Sequence, residues 1–159
     1  METFARLKET LFLRLFAYMK IPLLAYLRPK VIHIDESRCV IRLPLNNRSR
    51  NHLGSMYFGS LCAGADLAGG LAAMRLIQKS APEVAFVFKD FDAQFLKRAE
   101  GAVYFTCDDG VSMLDLVTRA DTTGERVEGA VNVVATVPDK LGDEPVAKFR
   151  LTISLKKKR

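Results

Sequence analysis

The sequence predicts an α+β fold in which a curved antiparallel sheet wraps one long, buried helix, and three observations carry that expectation. Residues 56–78 (MYFGSLCAGADLAGGLAAMRLIQ) are apolar on every side of a helical projection, the pattern of a helix surrounded by protein. The segments around it alternate with a period of two and are separated by polar turns, as half-buried strands are. No internal repeat or low-complexity linker interrupts the 159 residues, so a single domain is the simplest division.

Taken in order, Phe4, Leu7, Leu11, Phe12, Leu15, Phe16 and Met19 recur at near-helical spacing among Arg6, Lys8, Glu9 and Arg14, which predicts an amphipathic helix over 2–19. Pro22 and Pro29 break the segment that follows, so residues 1–28 form a helical extension. Residues 31–45 read as strand, turn at Glu36–Arg38, and strand. The next ten residues, NNRSRNHLGS, are a loop by composition. After the buried helix, VAFVFKDFDAQFLK (84–97) alternates Phe86, Phe88, Asp90 and Asp92 against Val87, Lys89, Phe91 and Ala93. With AVYFTC (102–107) it predicts an antiparallel hairpin closed at 99–101. A short helix over 111–122 follows, with Ser112 and Asp115 at capping-box spacing, Val111, Leu114 and Val117 on one face, and Gly124 as its stop. Two strands, 126–137 and 146–155, end the fold as an antiparallel pair around the polar turn PDKLGDEP.

Composition narrows the function classes. A hydrophobic share of 49% with 26% charged residues is that of a chain with a packed core. Three cysteines at wide spacing, Cys39, Cys62 and Cys107, and only two histidines do not supply the clustered ligands of a zinc site. They read as reduced thiols, and no metal is expected. The net charge of +6 owes part to the tail Lys156, Lys157, Lys158 and Arg159, a solvated terminus or an attraction for polyanions such as phosphate-bearing carriers. No basic stripe interleaved with aromatics appears, so nucleic acid is not an expected partner. Residues 10–27 contain Arg14, Lys20 and Pro22, too many interruptions for a span of about 20 residues and a poor secretory signal. A cytoplasmic chain is the expectation. The N-terminal helix is expected to pack on its own domain or a partner subunit rather than on a membrane surface.

The central helix is the informative element. From Met56 to Met74 its only charge is Asp66, among four glycines. Each interior glycine costs about 1 kcal/mol of helix propensity, so the small residues must serve close backbone approach. A membrane-spanning reading would place Asp66 near the bilayer centre at a cost of about 2.5–3.5 kcal/mol, which disfavours it.

The segment NHLGSMYFGSLCAGAD (51–66), followed by FLKRAEG (95–101), resembles the hotdog-fold thioesterases related to the phenylacetate-pathway enzyme. The extra helix at 111–122 is similar to that of an uncharacterised bacterial branch of the superfamily. The resemblance covers residues 31–156, the hotdog core. It implies an acyl-CoA thioesterase, acting as a homodimer or a dimer of dimers, with no cofactor beyond the coenzyme A of the substrate. Position by position, it implies that Asp66 is the catalytic carboxylate, Gly59 the second glycine of the family's His-Gly-Gly motif, and Asn51 an upstream residue lining the site. Tyr57 and Phe58 stand where the family has His and the first Gly.

Thioester hydrolysis needs a base or nucleophile and donors for the developing oxyanion. The free amides at a helix start suit the second task, which nominates Phe58 and Gly59. Asp66 lies two turns deeper, about 10–12 Å along the axis, too far to share one reacting centre with them. Two antiparallel helices in a two-fold dimer remove the difficulty, pairing the donors of one subunit with Asp66 of the other. Asp66 then acts as general base, with Asn51 orienting water, or as nucleophile. His52, Tyr57, Lys97 and Arg98 are the candidate substrate-binding residues, the two cations for coenzyme A phosphates. The alternative is a non-catalytic acyl-ligand-binding or structural homo-oligomer, in which Asp66 is simply hydrogen-bonded and Asn51 and His52 are loop residues.

Overall fold

The structure is a computed structural model describing residues 2–158, with side chains from Phe4 onward. Arg159, the last residue of the basic tail, and Met1 lie outside the described residues. Its elements are α1 (Glu2–Lys20), α2 (Pro22–Tyr26), β1 (Lys30–Ile34), β2 (Cys39–Leu43), α3 (Phe58–Ser80), β3 (Val84–Phe95), β4 (Val103–Cys107), α4 (Gly110–Thr123), β5 (Val127–Thr136), α5 (Pro138–Leu141) and β6 (Pro145–Lys157). The six strands form one antiparallel sheet in the order β1-β2-β4-β5-β6-β3, curved around α3. This is the hotdog fold.

The long helix is where the sequence puts it. Helix α3 is apolar and long enough to cross a membrane, yet Leu61, Gly64, Ala65, Ala68, Leu71, Ala72 and Leu76 are buried in the protein's own core. Its small residues let the sheet approach. A Cβ on Gly64 would meet Phe105 Cζ of β4 at 2.3 Å, so the ring occupies the place of the missing side chain. Residues 59, 62, 63, 66, 70 and 74 remain partly exposed along the helix, and Asp66, Gly70 and Met74 of these border a cavity with Phe86, Val87 and Phe88 of β3.

The 84–97 and 102–107 segments do not pair with each other, contrary to the expected hairpin. Strand β3 runs along β6 for its full length, from Val84 opposite Lys157 to Phe95 opposite Ala147. The five-residue β4 sits between β2 and β5. A thirteen-residue partner satisfies far more of β3's backbone groups than a five-residue one could. The register also shifts between Phe88 and Asp90, a bulge that resets the alternation. Phe91, Ala93 and Phe95 therefore share the α3 side with Phe86 and Phe88, opposite the buried Leu151 and Phe149 and the buried Ala147 of β6, and not the outer side that strict alternation assigns them.

Helix α1 is amphipathic in the reverse sense to the one expected. Leu13 and Ala17 are its buried contacts, while Phe4, Leu7, Leu11, Leu15 and Tyr18 face outward, Tyr18 at 74% exposure. Three polar ties fix it. The Val31 N–H donates to Thr10 Oγ1 at 3.1 Å, Arg14 Nε donates to the Pro29 carbonyl at 3.0 Å, and Arg75 of α3 pairs with Glu9 at 3.3 Å.

In α4 the buried face is Met113, Leu116, Val117 and Ala120, with Val111 75% exposed. The capping box does not form. Ser112 Oγ donates to the Asp109 carbonyl at 3.0 Å, and the Asp109 carboxylate accepts instead from the Asn132 N–H and Nδ2 of β5, at 2.6 and 2.9 Å. That long-range tie replaces the local cap. Gly124 ends the helix in the left-handed region at φ +68°, as its position predicts.

Candidate active site

The start of α3 is held by backbone bonds before any side chain contributes. Met56 N–H donates to the Ala99 carbonyl at 2.8 Å and Tyr57 N–H to the Ser49 carbonyl at 2.7 Å. Tyr57 is the extended N-cap residue and provides no side-chain cap. The first helical bond runs from Leu61 N–H to the Tyr57 carbonyl at 3.1 Å. The amides of Phe58, Gly59 and Ser60 thus precede the helical ladder, at the positive end of the helix dipole.

Around this start lies a hollow of about 380 Å³ lined by Asn51, His52, Ser55, Met56, Tyr57, Phe58, Leu61, Phe95, Lys97, Arg98 and Ala99. It gathers six of the sequence-nominated residues, while Gly59 lies behind the Tyr57 ring and does not line it. A Cβ on Gly59 would lie 2.4 Å from Tyr57 Cε1, so the Tyr57 ring folds back over the glycine. Tyr57 and Phe58 pack at 4.8 Å between ring centroids, and Phe58 meets Phe95 of β3 at 6.0 Å.

The polar residues of the hollow are partly committed. Asn51 Oδ1 accepts from the Leu53 and Ser55 N–H groups at 2.9 and 3.2 Å, and its Nδ2 donates to Ser55 Oγ at 3.1 Å. Asn51 therefore holds the loop that presents His52. Lys97 pairs with Glu144 at 2.5 Å, and Arg98 donates to the Leu53 carbonyl at 3.3 Å. These cations stand at the rim, each with a local partner.

Asp66 is not in this hollow. It lines a second cavity, of about 440 Å³, with Leu13, Phe16, Ala17, Ile21 and Leu24 of the N-terminal segment, Leu67, Gly70, Leu71 and Met74 of α3, and Phe86, Val87 and Phe88 of β3. Among the described residues no donor reaches its carboxylate in a hydrogen bond. Burial among these apolar groups pushes its pKa up, because the charged form is the costlier one to desolvate. The sequence does not betray that the N-terminal segment walls this carboxylate. The one available signal is the small Ala17 one turn after Leu13, on the face opposite the helix's large apolar stripe.

Both hollows open beside β3, one near each end of the strand. Phe86 and Phe88 border the Asp66 cavity, and Phe95 borders the α3 start. Strand β3 is one edge of the sheet, β1 the other, and the inner aromatics Phe91 and Phe95 of β3 stay 39% and 47% exposed. Within one chain, the carboxylate and the free amides are thus separate. Among the described residues no group of three or more His, Cys, Asp or Glu could hold a metal ion.

The family described as Domain of unknown function (DUF4442) matches residues 9–155. The chain belongs to that family. No curated protein matches this DUF4442 chain, but many solved structures share its fold. A candidate thioesterase from Shewanella oneidensis superposes with a TM-score of 0.78 at 16% identity, covering 96% of this chain and 99% of its own. A probable thioesterase of unknown function from Pseudomonas aeruginosa does so with a TM-score of 0.76 at 22% identity, over 93% and 95%. A thioesterase from Haemophilus influenzae reaches 0.67 at 15% identity, over 90% and 88%. The DUF4442 match takes in the latter half of α1 as well as the hotdog core, so the segment that walls Asp66 falls largely within the family's own boundaries.

Proposed function

We propose that this DUF4442 protein is an acyl-CoA thioesterase whose site is completed by a second copy of the chain. The observation that carries the reading is the position of Asp66: a lone carboxylate in an apolar cavity, about 12 Å along one helix from free amides that a hydrolase would also need. An antiparallel pairing of β3 with its own copy, with the two-fold axis near Phe91, would set Phe95 and the α3 start of one protomer against Val87 and the Asp66 cavity of the other. The pairing would also cover the exposed inner aromatics of an otherwise open edge.

In that arrangement Asp66 takes a proton from a water molecule as the water oxygen attacks the thioester carbonyl. The amides of Phe58 and Gly59 from the partner protomer stabilise the oxyanion. Collapse of the tetrahedral intermediate breaks the carbon–sulfur bond, and the proton held by Asp66 passes to the departing thiolate. Asn51 positions the loop carrying His52, while Lys97 and Arg98 line the rim where the phosphates of coenzyme A would lie. A cytoplasmic setting accords with such a substrate.

A second reading, a non-catalytic acyl-ligand binder, is favoured by one observation: the Tyr57 ring lies over Gly59, where a carbonyl oxygen would have to approach. Mixing two inactive variants tests the first reading. Asp66→Asn removes the base, and Phe58→Pro removes one amide at a helix position that tolerates proline; Phe58→Ala is the control that keeps the amide. Mixed dimers each regain one intact site, so an equal mixture should recover about a quarter of wild-type turnover. Recovery of none, or an Asp66→Asn protein as active as wild type on an acyl-CoA panel, would sink the proposal.

A further inference from the structure

We infer that the N-terminal segment α1–α2 is the wall of a binding site for an unsubstituted aliphatic acyl chain, so that chain length is what this protein measures. This inference rests on the thioesterase reading for its substrate but is tested apart from it.

The walls of the cavity beside Asp66 are apolar side chains. Leu13, Phe16 and Leu24 face Leu67, Leu71 and Met74 across it, and among its lining side chains Asp66 is the only polar one. An acyl group bearing a hydroxyl, amide or second carboxylate would leave that group without a partner, a loss that strongly selects against it. A plain hydrocarbon chain loses nothing. The volume of about 440 Å³ falls within the range of ligand sites.

The wall is held in place rather than merely adjacent. The ties from Thr10 to Val31 and Arg14 to Pro29 fasten α1 to β1 and the residue before it, and the Glu9–Arg75 pair links it to α3. Gly70 follows Asp66 by one helical turn and faces the same cavity. A Cβ there would come no closer than 3.7 Å to Phe88 Cε2 and 3.9 Å to Phe86 Cζ, ordinary contacts. Nothing in the packing therefore demands a glycine at this position, whereas the packing at Gly64 does. The space in front of Gly70 is free for a ligand.

The test measures binding of S-alkyl-coenzyme A thioethers, from butyl to hexadecyl, which no hydrolase can cleave, to the full chain carrying Asp66→Asn. Affinity should rise by up to about fourfold per methylene until the cavity is full. Gly70→Leu, which fills the cavity and favours the helix, should shorten the chain length at which the rise stops. Met74→Ala should lengthen it, and thermal melts establish that both variants are folded. A flat affinity series, no binding of any thioether, or folded variants with the parent's length dependence would each overturn the inference. Graded binding alongside an absence of turnover in the wild-type protein would uphold it while removing the hydrolase reading.

Discussion

The ring of Phe105 occupies the volume that a side chain on Gly64 would need, with Cζ 2.3 Å from where the Cβ would stand. Both lie in the centre of the core, Phe105 with no exposed surface. Gly64→Ala should therefore destabilise the protein by about 1–3 kcal/mol through overpacking, although alanine is the better helix former. Phe105→Leu in the same chain should return part of that loss, since the two residues share one space. Urea denaturation of the single and double variants measures this, and strictly additive costs would show that the ring and the glycine are independent.

Thr10 ties the N-terminal helix to the first strand. Its hydroxyl accepts the Val31 amide at a buried position, and valine has the same shape without the acceptor. Thr10→Val should cost about 1–3 kcal/mol, the price of leaving a buried N–H unpaired. Amide exchange at Val31 should accelerate in parallel. An unchanged exchange rate would mean that another group takes over.

Asp66 gives stability an unusual pH dependence. Its pKa is higher in the folded protein, and burial is the cause. The folded state then holds a proton that the unfolded state releases above about pH 3.9, so this residue's contribution makes stability fall as pH rises through the interval between the two values and leaves it lowered above both. Asp66→Asn removes that penalty. The variant should melt higher than wild type at neutral pH, with the gap closing below the unfolded value. A variant that melts lower at neutral pH would show that the carboxylate has a compensating partner in solution.

Cys39 and Cys107 face each other across β2 and β4, both buried. Burial pushes the Cys107 thiol up to about 11 and the Cys39 thiol up as well, so neither forms the reactive thiolate in mildly alkaline buffer. A thiol reagent should label only the partly exposed Cys62 of α3 in the native protein, and all three cysteines after denaturation. Rapid native labelling of Cys107 would show that the sheet opens between β2 and β4.

The sequence discloses what is periodic and hides what is relational. Residues 56–74 announce a buried helix because Asp66 is the only charge among them, and Gly124 announces a helix end because only a left-handed residue stops there cheaply. The pairing of β3 was illegible. Its neighbour in sequence, β4, has a sound strand pattern, and only the length of β6 makes the distant partner better. The bulge after Phe88 leaves no trace in the sequence either, so strict alternation puts Phe91 and Ala93 on the wrong side. At the site, residues clustered near Asn51 in sequence also cluster in space, because one loop and one helix start carry them. The wall of Leu13, Phe16 and Leu24 beside Asp66 was hidden because α1 shows its richer apolar stripe to the outside, and the spacing of large side chains pointed there.

The strand order has a kinetic consequence. Strand β3 has no partner until β6 arrives, and Val84 must find Lys157 across nearly half the chain. While that loop stays open, Phe86, Phe88 and Phe91 lie along a naked hydrophobic ribbon beside a helix that is itself apolar on all sides. Non-local closure of this kind is slow compared with helix formation, so a refolding chain passes through a period in which its stickiest surface is also its least protected. The last strand to dock is thus the one that makes the molecule safe at high concentration, and dilution during refolding should raise the yield of native protein.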